Sequence, residues 1–590
     1  MAACWPVVAV GQEDLRDLLL SVEDSTIRIT DIGIAVSDVE QYVKTDTLTQ
    51  RSDTVIYISQ PEIVWESDGC SLSDPSSIAA VRRARNARRP AGVDGQAFPQ
   101  YGTLMEYFQS FFYCVFKFEY ESVDAEGKPV KLSAMAACPT KDGALEVNNI
   151  VIGTHITITA DRERPSSHFD NFKEDDWGML FSMAAGPKMV LTEDFQLILG
   201  GVTLGGPVVA GVAGALLAPL TGGLSLLVSP AILIAGFVYE CDQLDKAIGF
   251  HAYNNNLVIM PDYEGYGVSK DRAHPYLYQE LTARQCVDAT LAGIKLYENA
   301  TETKWLRHPI RQKFRSMSCG YSQGGSVALA VHRFIEQNHL EKTLHFTGSL
   351  CGDGPYDPIA TLMFFIRQNE ENMNMSMPVA LPLIVKGMLD TNPYMKGHKA
   401  EDYFTKDFLD SGIMEWLQSK EYSTGDIEHA WDALKAKNPN AKNWNDAKIS
   451  EIMNKECFDY FHKLYNANKY TFTSAEGVPL PTKRGVMEDL HLALASNDLI
   501  TGWIPKNKVY LFHSKGDTVV PYENAERAEN AFGKSCILEE LTNGGNHNDS
   551  GVDFFKGDSN ADVVLGNTMN LRLYVKAAEI LNKIYERMKR

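Results

Sequence analysis

Six short apolar runs, spread along the chain and separated by helical patterns, most constrain what this sequence can fold into. They are NIVIG (149–153), NLVIM (256–260), FRSMSC (314–319), LHFTGSL (344–350), KVYLFH (508–513) and CILEEL (536–541). Each has strand length and ends in turn residues, as strands buried on both faces do. Between them lie segments such as 281–300, with Val287, Leu291, Ile294 and Leu296 at helical spacing, and the terminal 571–590. Strands alternating with helices predict an α/β fold around a mostly parallel central sheet. Ahead of it, YCVFKFEYES from Tyr113, the turn AEGK and VKLSAMAACP predict an N-terminal antiparallel hairpin.

This pattern divides the chain. Residues 106–355 and 501–590 read as the α/β core, 1–105 as an N-terminal extension of unassigned role, and 356–500 as a mainly helical cap or lid. A further insertion, 195–239, carries no charged side chain. Its length alone suits a membrane span. Pro207, Pro219 and Pro230 cut it into pieces of about eleven residues, too short to cross, and no basic residues flank it. Two readings stay open: short helices buried beneath the cap, or a lipid-facing hairpin that docks on a membrane interface.

Composition removes several classes of function. With 590 residues and 44% hydrophobic content there is ample apolar surface for a core, which excludes disorder along the whole length. The 76 acidic against 56 basic residues leave a net charge of −20, which repels nucleic acid. The cluster Arg82, Arg83, Arg85, Arg88 and Arg89 reads as a solvated helix end before a Pro-Gly linker. The ten cysteines form no CxxC pair, which argues against a zinc ribbon or a thioredoxin-type centre and leaves the redox compartment open. No intact secretory signal is read in the first twenty residues, although a removed signal would leave the same trace.

The chemistry centres on Gly320-Tyr321-Ser322-Gln323-Gly324, a G-x-S-x-G pentapeptide with a strand pattern before it and a helical pattern after it. A serine on a tight strand-to-helix turn projects its hydroxyl from the sheet, and flanking glycines remove side chains that would clash. At a helix N-terminus, free N–H groups can hold an oxyanion. A serine hydroxyl needs a base, and the base an acid to orient it. In chain order these would be Asp517, four residues past the strand KVYLFH, and His547, in the glycine-rich loop after CILEEL. His513 reads as a hydrogen-bonded wall residue, Asp549 sits too near His547 to orient it well, and His491 precedes the acid in a helical stretch. No metal or organic cofactor is implied.

Several segments together resemble the α/β-hydrolase fold and, more narrowly, the secretory lipase family of fungal lipase A type and bacterial esterase relatives. They are VIMPDYEGYGVSKDRAHPYLYQ (258–279), CGYSQGG (319–325), CGDGPYDP (351–358), ITGWIPKNKVYLFHSKGDTVVPYENA (500–525) and GGNH before Asn548. The resemblance implies Ser322 as nucleophile, His547 as general base and then acid, and Asp517 as its orienting carboxylate. It also implies an oxyanion hole made by the N–H of Gln323 and one N–H from GTHITITADRERPSS (153–167), at Ile156 or Thr157. Ile156 stands where glycine is common, and a β-branched residue adopts positive φ only at a cost. A lid over the pocket and export from the cell are further expectations from the resemblance. The lead expectation is a serine hydrolase of hydrophobic carboxylic esters. A peptidase or amidase with the same triad, and a membrane-inserting or interaction protein on a hydrolase scaffold, are the alternatives.

Overall fold

The computed structural model describes residues 15–45, 52–58, 62–68, 110–140, 147–167, 189–191, 256–302, 310–468, 474–540 and 545–556. A short helix, α1 (Leu15–Ser21), is followed by three strands, β1 (Arg28–Thr45), β2 (Ser52–Ile58) and β3 (Glu62–Asp68). The expected hairpin is β4 (Ser110–Val123) and β5 (Pro129–Thr140), joined by a turn in which Gly127 takes φ 76°. Then come β6 (Val147–Thr154), β7 (Met189–Leu191), β8 (Asn256–Pro261), β9 (Ile310–Tyr321), β10 (Phe346–Gly352), β11 (Lys508–His513) and β12 (Cys536–Glu540). Each of the six apolar runs supplies a strand, although β10 starts at Phe346, two residues into its run.

These strands form one sheet in the order β12-β11-β10-β9-β6-β8-β5-β4-β1-β2-β7, with β3 on the other edge of β1. From β12 to β8 all neighbours are parallel; from β5 onward they are antiparallel. The antiparallel wing is wider than the hairpin alone, because β1 from the N-terminal extension pairs with β4 along ten register positions from Arg28 to Asp38. Acids at Asp31, Asp38 and Glu40 and a register shift between Ile29 and Asp31 break the alternation that would have marked β1 in the sequence.

Helices connect the parallel strands: α2 (Gln279–Glu302) leads to β9, α3 (Gln323–Gln337) to β10, and α4 (Pro358–Glu370) opens the long insertion. Within that insertion α5 (Ala380–Thr391), α6 (Thr424–Lys437), α7 (Lys455–Asn468) and α8 (Val486–Ala495) follow, and among the described residues no sheet strand lies between β10 and β11. After β11 come α9 (Glu523–Phe532) and, past β12, α10 (His547–Lys556). Local chemistry sets the helix starts. Asp357 caps α4 by accepting from the Ile359 N–H at 2.9 Å, with Pro358 at the first helical position. Ser423 and Asp426 form a capping box on α6.

The sheet has apolar packing that includes Ile150, Leu257, Ile259, Phe116 and Phe118 with Ala292 and Ile294 of α2, and Val327, Val331, Val509 and Leu511 with Phe532. The insertion has its own cluster, in which Trp431, Phe404, Phe408, Ile452 and Phe461 are all nearly solvent-free. Burying each such side chain contributes about 1.5–3 kcal/mol, enough in sum to order the insertion against the core. The five cysteines whose side chains are described, Cys286, Cys319, Cys351, Cys457 and Cys536, are buried thiols. Among the described residues no helix is long and apolar enough to cross a membrane. The uncharged 195–239 segment, the arginine cluster at 82–89 and the terminal helical pattern at 571–590 lie outside the described residues.

Register brings the strand ends level. Gly320 on β9 lies opposite Thr154 on β6, Tyr321 opposite Gly352 on β10, Gly352 opposite Phe512 on β11, and Phe512 opposite Glu539 on β12. Loops leaving these strands therefore converge at one rim, where ligands bind in parallel sheets. This strand–turn–helix layout, on a parallel sheet with an antiparallel wing, is the α/β-hydrolase fold.

Candidate active site

Ser322 is the single residue between β9 and α3, at φ 58° and ψ −125°, a backbone conformation that costs free energy for any residue but glycine. Neighbouring contacts hold it there. Its N–H donates to the Gly352 carbonyl at 2.9 Å, and the Thr154 hydroxyl lies 2.9 Å from the Cys319 carbonyl and 2.8 Å from that of Gly324. The glycines are required by close approach: a Cβ at Gly320 would sit 2.5 Å from the Thr154 carbonyl oxygen, and one at Gly324 would sit 2.7 Å from that of His155. As the first residue of α3, Gln323 has an N–H with no intrahelical acceptor, at the positive end of the helix dipole.

Asp517 follows β11 and is buried. Its Oδ1 accepts from the N–H groups of Val519 at 2.8 Å and Val520 at 2.9 Å. Its Oδ2 accepts from His547 Nδ1 at 2.6 Å, and His547 Nε2 lies 2.9 Å from Ser322 Oγ. Serine, imidazole and carboxylate are thus in one hydrogen-bonded line, although 225 positions separate Ser322 from His547. His547 was expected in a loop; it begins α10 instead. Burial pushes Asp517 up, but the charge and hydrogen bond of His547 outweigh it and hold Asp517 below the usual carboxylate range. Burial likewise favours the neutral ring of His547, and the charge and hydrogen bond of Asp517 overcome this and raise its pKa.

The loop after β6 runs past the same turn, since the carbonyls of Thr154 and His155 touch Gly324. Ile156 is not among the residues with positive φ, so the strain foreseen there does not arise. Side chains fix the loop instead. His155 stacks on Tyr263 at 3.9 Å, its Nδ1 lies 2.6 Å from the Ile156 carbonyl, and the Thr157 hydroxyl lies 2.9 Å from that of Tyr276. Asp262, part of the DYEGYG segment, accepts from the Ser166 N–H at 2.8 Å and from the hydroxyls of Ser133 and Ser166, anchoring the far end of the loop.

The other candidates lie elsewhere. His513 is buried beside Asp517, with Nε2 2.9 Å from the Val520 carbonyl, as a wall residue would be. Asp549 is exposed on α10. His491 lies within the insertion, where Tyr460 approaches its Nδ1 at 3.2 Å and burial lowers its pKa to about 4.

Sequence reasoning missed three residues. Tyr321 stacks near His547 and donates to its carbonyl at 2.6 Å. His274 lies with Nδ1 2.8 Å from the Glu264 carbonyl and Nε2 3.3 Å from the Gln323 side-chain amide; burial lowers its pKa to about 3, so the ring is neutral. Asp353, inside the quoted CGDGPYDP segment, is buried one residue past β10, just as Asp517 lies past β11, and that parallel was the signal available. Asp353, Asp517 and His547 each offer a ligand atom within 4.8 Å of the others, as a three-ligand metal site would, but both His547 nitrogens are already engaged by Asp517 and Ser322. Thr159, Tyr266, His274, Leu383 and Lys420 line a small pocket between the insertion and the core loops.

No protein-family model matches the chain, and no curated protein matches it either. Among solved structures, the rice cell wall degrading esterase LipA from Xanthomonas oryzae is similar, with 18% identity, 77% of this chain and 89% of that chain covered, and a TM-score of 0.47. Candida antarctica lipase A is similar at 14% identity, with 72% of this chain and 71% of that chain covered and a TM-score of 0.36.

Proposed function

We propose that this protein hydrolyses carboxylic esters through an acyl-enzyme on Ser322. One observation carries the reading: His547 bridges Asp517 at 2.6 Å and Ser322 Oγ at 2.9 Å through its two ring nitrogens. His547 Nε2 takes the serine proton as Oγ attacks the ester carbonyl carbon. The tetrahedral oxyanion is held by the Gln323 N–H and by an N–H at Ile156 or Thr157. Collapse breaks the bond to the alkoxy oxygen, which leaves as the alcohol with the proton from His547. Water then attacks the acyl-serine, giving its proton to His547 and releasing the carboxylic acid and free Ser322.

Residues 356–500 act in this reading as a cap whose apolar side chains select an ester with a sizeable hydrophobic acyl or alcohol part. The test is labelling by a fluorophosphonate probe together with turnover of p-nitrophenyl esters of increasing chain length, set beside aminoacyl-anilides. Ser322→Ala should lose both labelling and ester turnover while keeping the wild-type circular dichroism. Persistent labelling of that variant would overturn the nucleophile assignment.

A further inference from the structure

Two carboxyl groups meet behind the serine. Asp353 and Asp517 are both nearly solvent-free, and one oxygen of each lies within 4.8 Å of the other and of a His547 ring nitrogen. The groups facing Asp353 come from every neighbouring segment: the Tyr321 hydroxyl from the end of β9, His547 and the Ser550 hydroxyl from α10, His513 and the Ser514 N–H from the end of β11, then Asp517 and the Tyr356 phenol. Among the described residues, no lysine or arginine bonds to it. Two carboxylates this close without a strong cation do not both ionise readily; one retains a proton.

The surroundings decide which. Asp517 receives two backbone N–H groups at 2.8 and 2.9 Å and the imidazole at 2.6 Å. Asp353 receives one backbone N–H, from Ser514, at 3.3 Å. Its remaining contacts are the hydroxyls of Tyr321 at 2.9 Å and Ser550 at 2.7 Å, both on Oδ2, and the carboxyl of Asp517, with which it shares a hydrogen bond that only a retained proton can make. Tyr321 has a single proton, which faces both Asp353 Oδ2 at 2.9 Å and the closer His547 carbonyl at 2.6 Å, so it gives an ionised Asp353 less than a full hydrogen bond.

We propose that Asp353 is a positioning residue that works as a neutral carboxylic acid, holding Tyr321 and Ser550, and through them the His547 end of α10, while Asp517 alone carries the charge that faces the imidazole. Burial supports this by pushing the Asp353 pKa to about 7, with the imidazoles of His513 and His547 opposing the added push from Asp517. The carboxyl therefore keeps its proton well above the usual carboxylate range, and where it does ionise its new charge strengthens the hold of His547 on a proton. The backbone at Asp353 has φ 34°, which asparagine tolerates better than alanine, so Asp353→Asn keeps both the conformation and a neutral hydrogen-bonding side chain.

The kinetic part rests on the ester-hydrolase reading, so the test has two arms. In the first, infrared spectra with isotope-labelled aspartate are recorded between pH 5 and 9 on Ser322→Ala protein, with and without Asp353→Asn. The double variant is expected to lack one component of the protonated-carboxyl band that its parent shows at pH 6 and loses by pH 8, while the signal of other buried aspartates such as Asp357 stays in both; identical bands in the two proteins overturn the proposal whether or not the protein is an esterase. In the second arm, Asp353→Asn should keep ester turnover within roughly threefold at pH 7, while the acid limb of kcat/KM moves to lower pH by roughly half a unit or more, because one competing proton site is gone. Asp353→Ala, which cannot bond Tyr321 or Ser550, should lose roughly tenfold or more in kcat with KM unchanged. Equal losses in the two variants with an unshifted pH profile would overturn the positioning role.

Discussion

Tyr321 donates its hydroxyl proton to the carbonyl oxygen of His547 at 2.6 Å, so the residue just before the serine ties down the residue that bridges serine to carboxylate. The two rings also lie 5.2 Å apart. Strand β9 and helix α10 are thereby fastened at the point where their relative position sets the 2.9 Å contact between His547 and Ser322.

Replacing Tyr321 by phenylalanine keeps the ring packing and deletes this bond. With a net hydrogen bond worth about 1 kcal/mol, kcat should fall roughly three- to tenfold with little change in KM. Steady-state kinetics on a p-nitrophenyl ester check this. A wild-type kcat would show that α10 is held by other contacts.

Activity should fall on the acid side at a pH above the ordinary imidazole value of about 6.5, because the base must be neutral and Asp517 raises the pKa of His547. Asp517→Asn removes that charge. The acid limb should then move to lower pH, and kcat should drop by on the order of 10⁴, the loss known for the corresponding change in the best-studied serine triad. A pH profile of kcat/KM for both proteins decides the matter; a limb that stays put would mean that another group sets the proton affinity of the ring.

Glycine at 324 is a steric requirement, whereas glycine at 425 is not. A Cβ at Gly324 would press on the carbonyls of Thr154 and His155, which are backbone and cannot swing away; at Gly425 in α6 the nearest atom is the Ser423 hydroxyl at 3.9 Å. Gly324→Ala should cost about 3 kcal/mol or more, or prevent soluble folding. Gly425→Ala should be neutral or stabilising by up to about 1 kcal/mol. Urea unfolding of both variants measures the contrast.

Arg527 on α9 joins the two ends of the helical insertion to the core. It is fully buried and bonds Asp357 at 2.5 Å, Asp498 at 2.9 Å, the Thr501 hydroxyl at 2.6 Å and the Ser474 carbonyl at 2.9 Å. Arg527→Met leaves the buried Asp357 and the half-buried Asp498 without their cation and should cost about 3 kcal/mol or more at pH 8. Without the guanidinium both carboxyl pKa values rise, so stability is retained at low pH and lost as pH rises through them. The deficit relative to wild type should therefore be smaller at pH 5. A deficit independent of pH would mean that packing, and not charge, is what the arginine supplies.

Much of this was legible before any coordinates. The strands from β4 to β6 and β8 to β12 are runs whose composition and length leave few alternatives, and Ser322, Asp517 and His547 each follow one of them. The glycines at 320 and 324 are local necessities of a tight turn. By contrast, β1 is interrupted by acids and a register shift, and its place in the sheet depends on the edge that β4 offers. Arg527 gives no sign in the sequence of its partners, which come from segments 170 and 29 positions away.

The amino-acid order by itself determined which segments extend, which coil, and which side chains stand at strand ends, because periodicity and turn chemistry act over a few residues. Only the tertiary structure decided that Asp353 stands behind Asp517, that His274 reaches the Gln323 amide and that Tyr321 grips His547. Those meetings depend on strand order and register across the sheet, and these are set by the packing of the whole core. No local pattern encodes them.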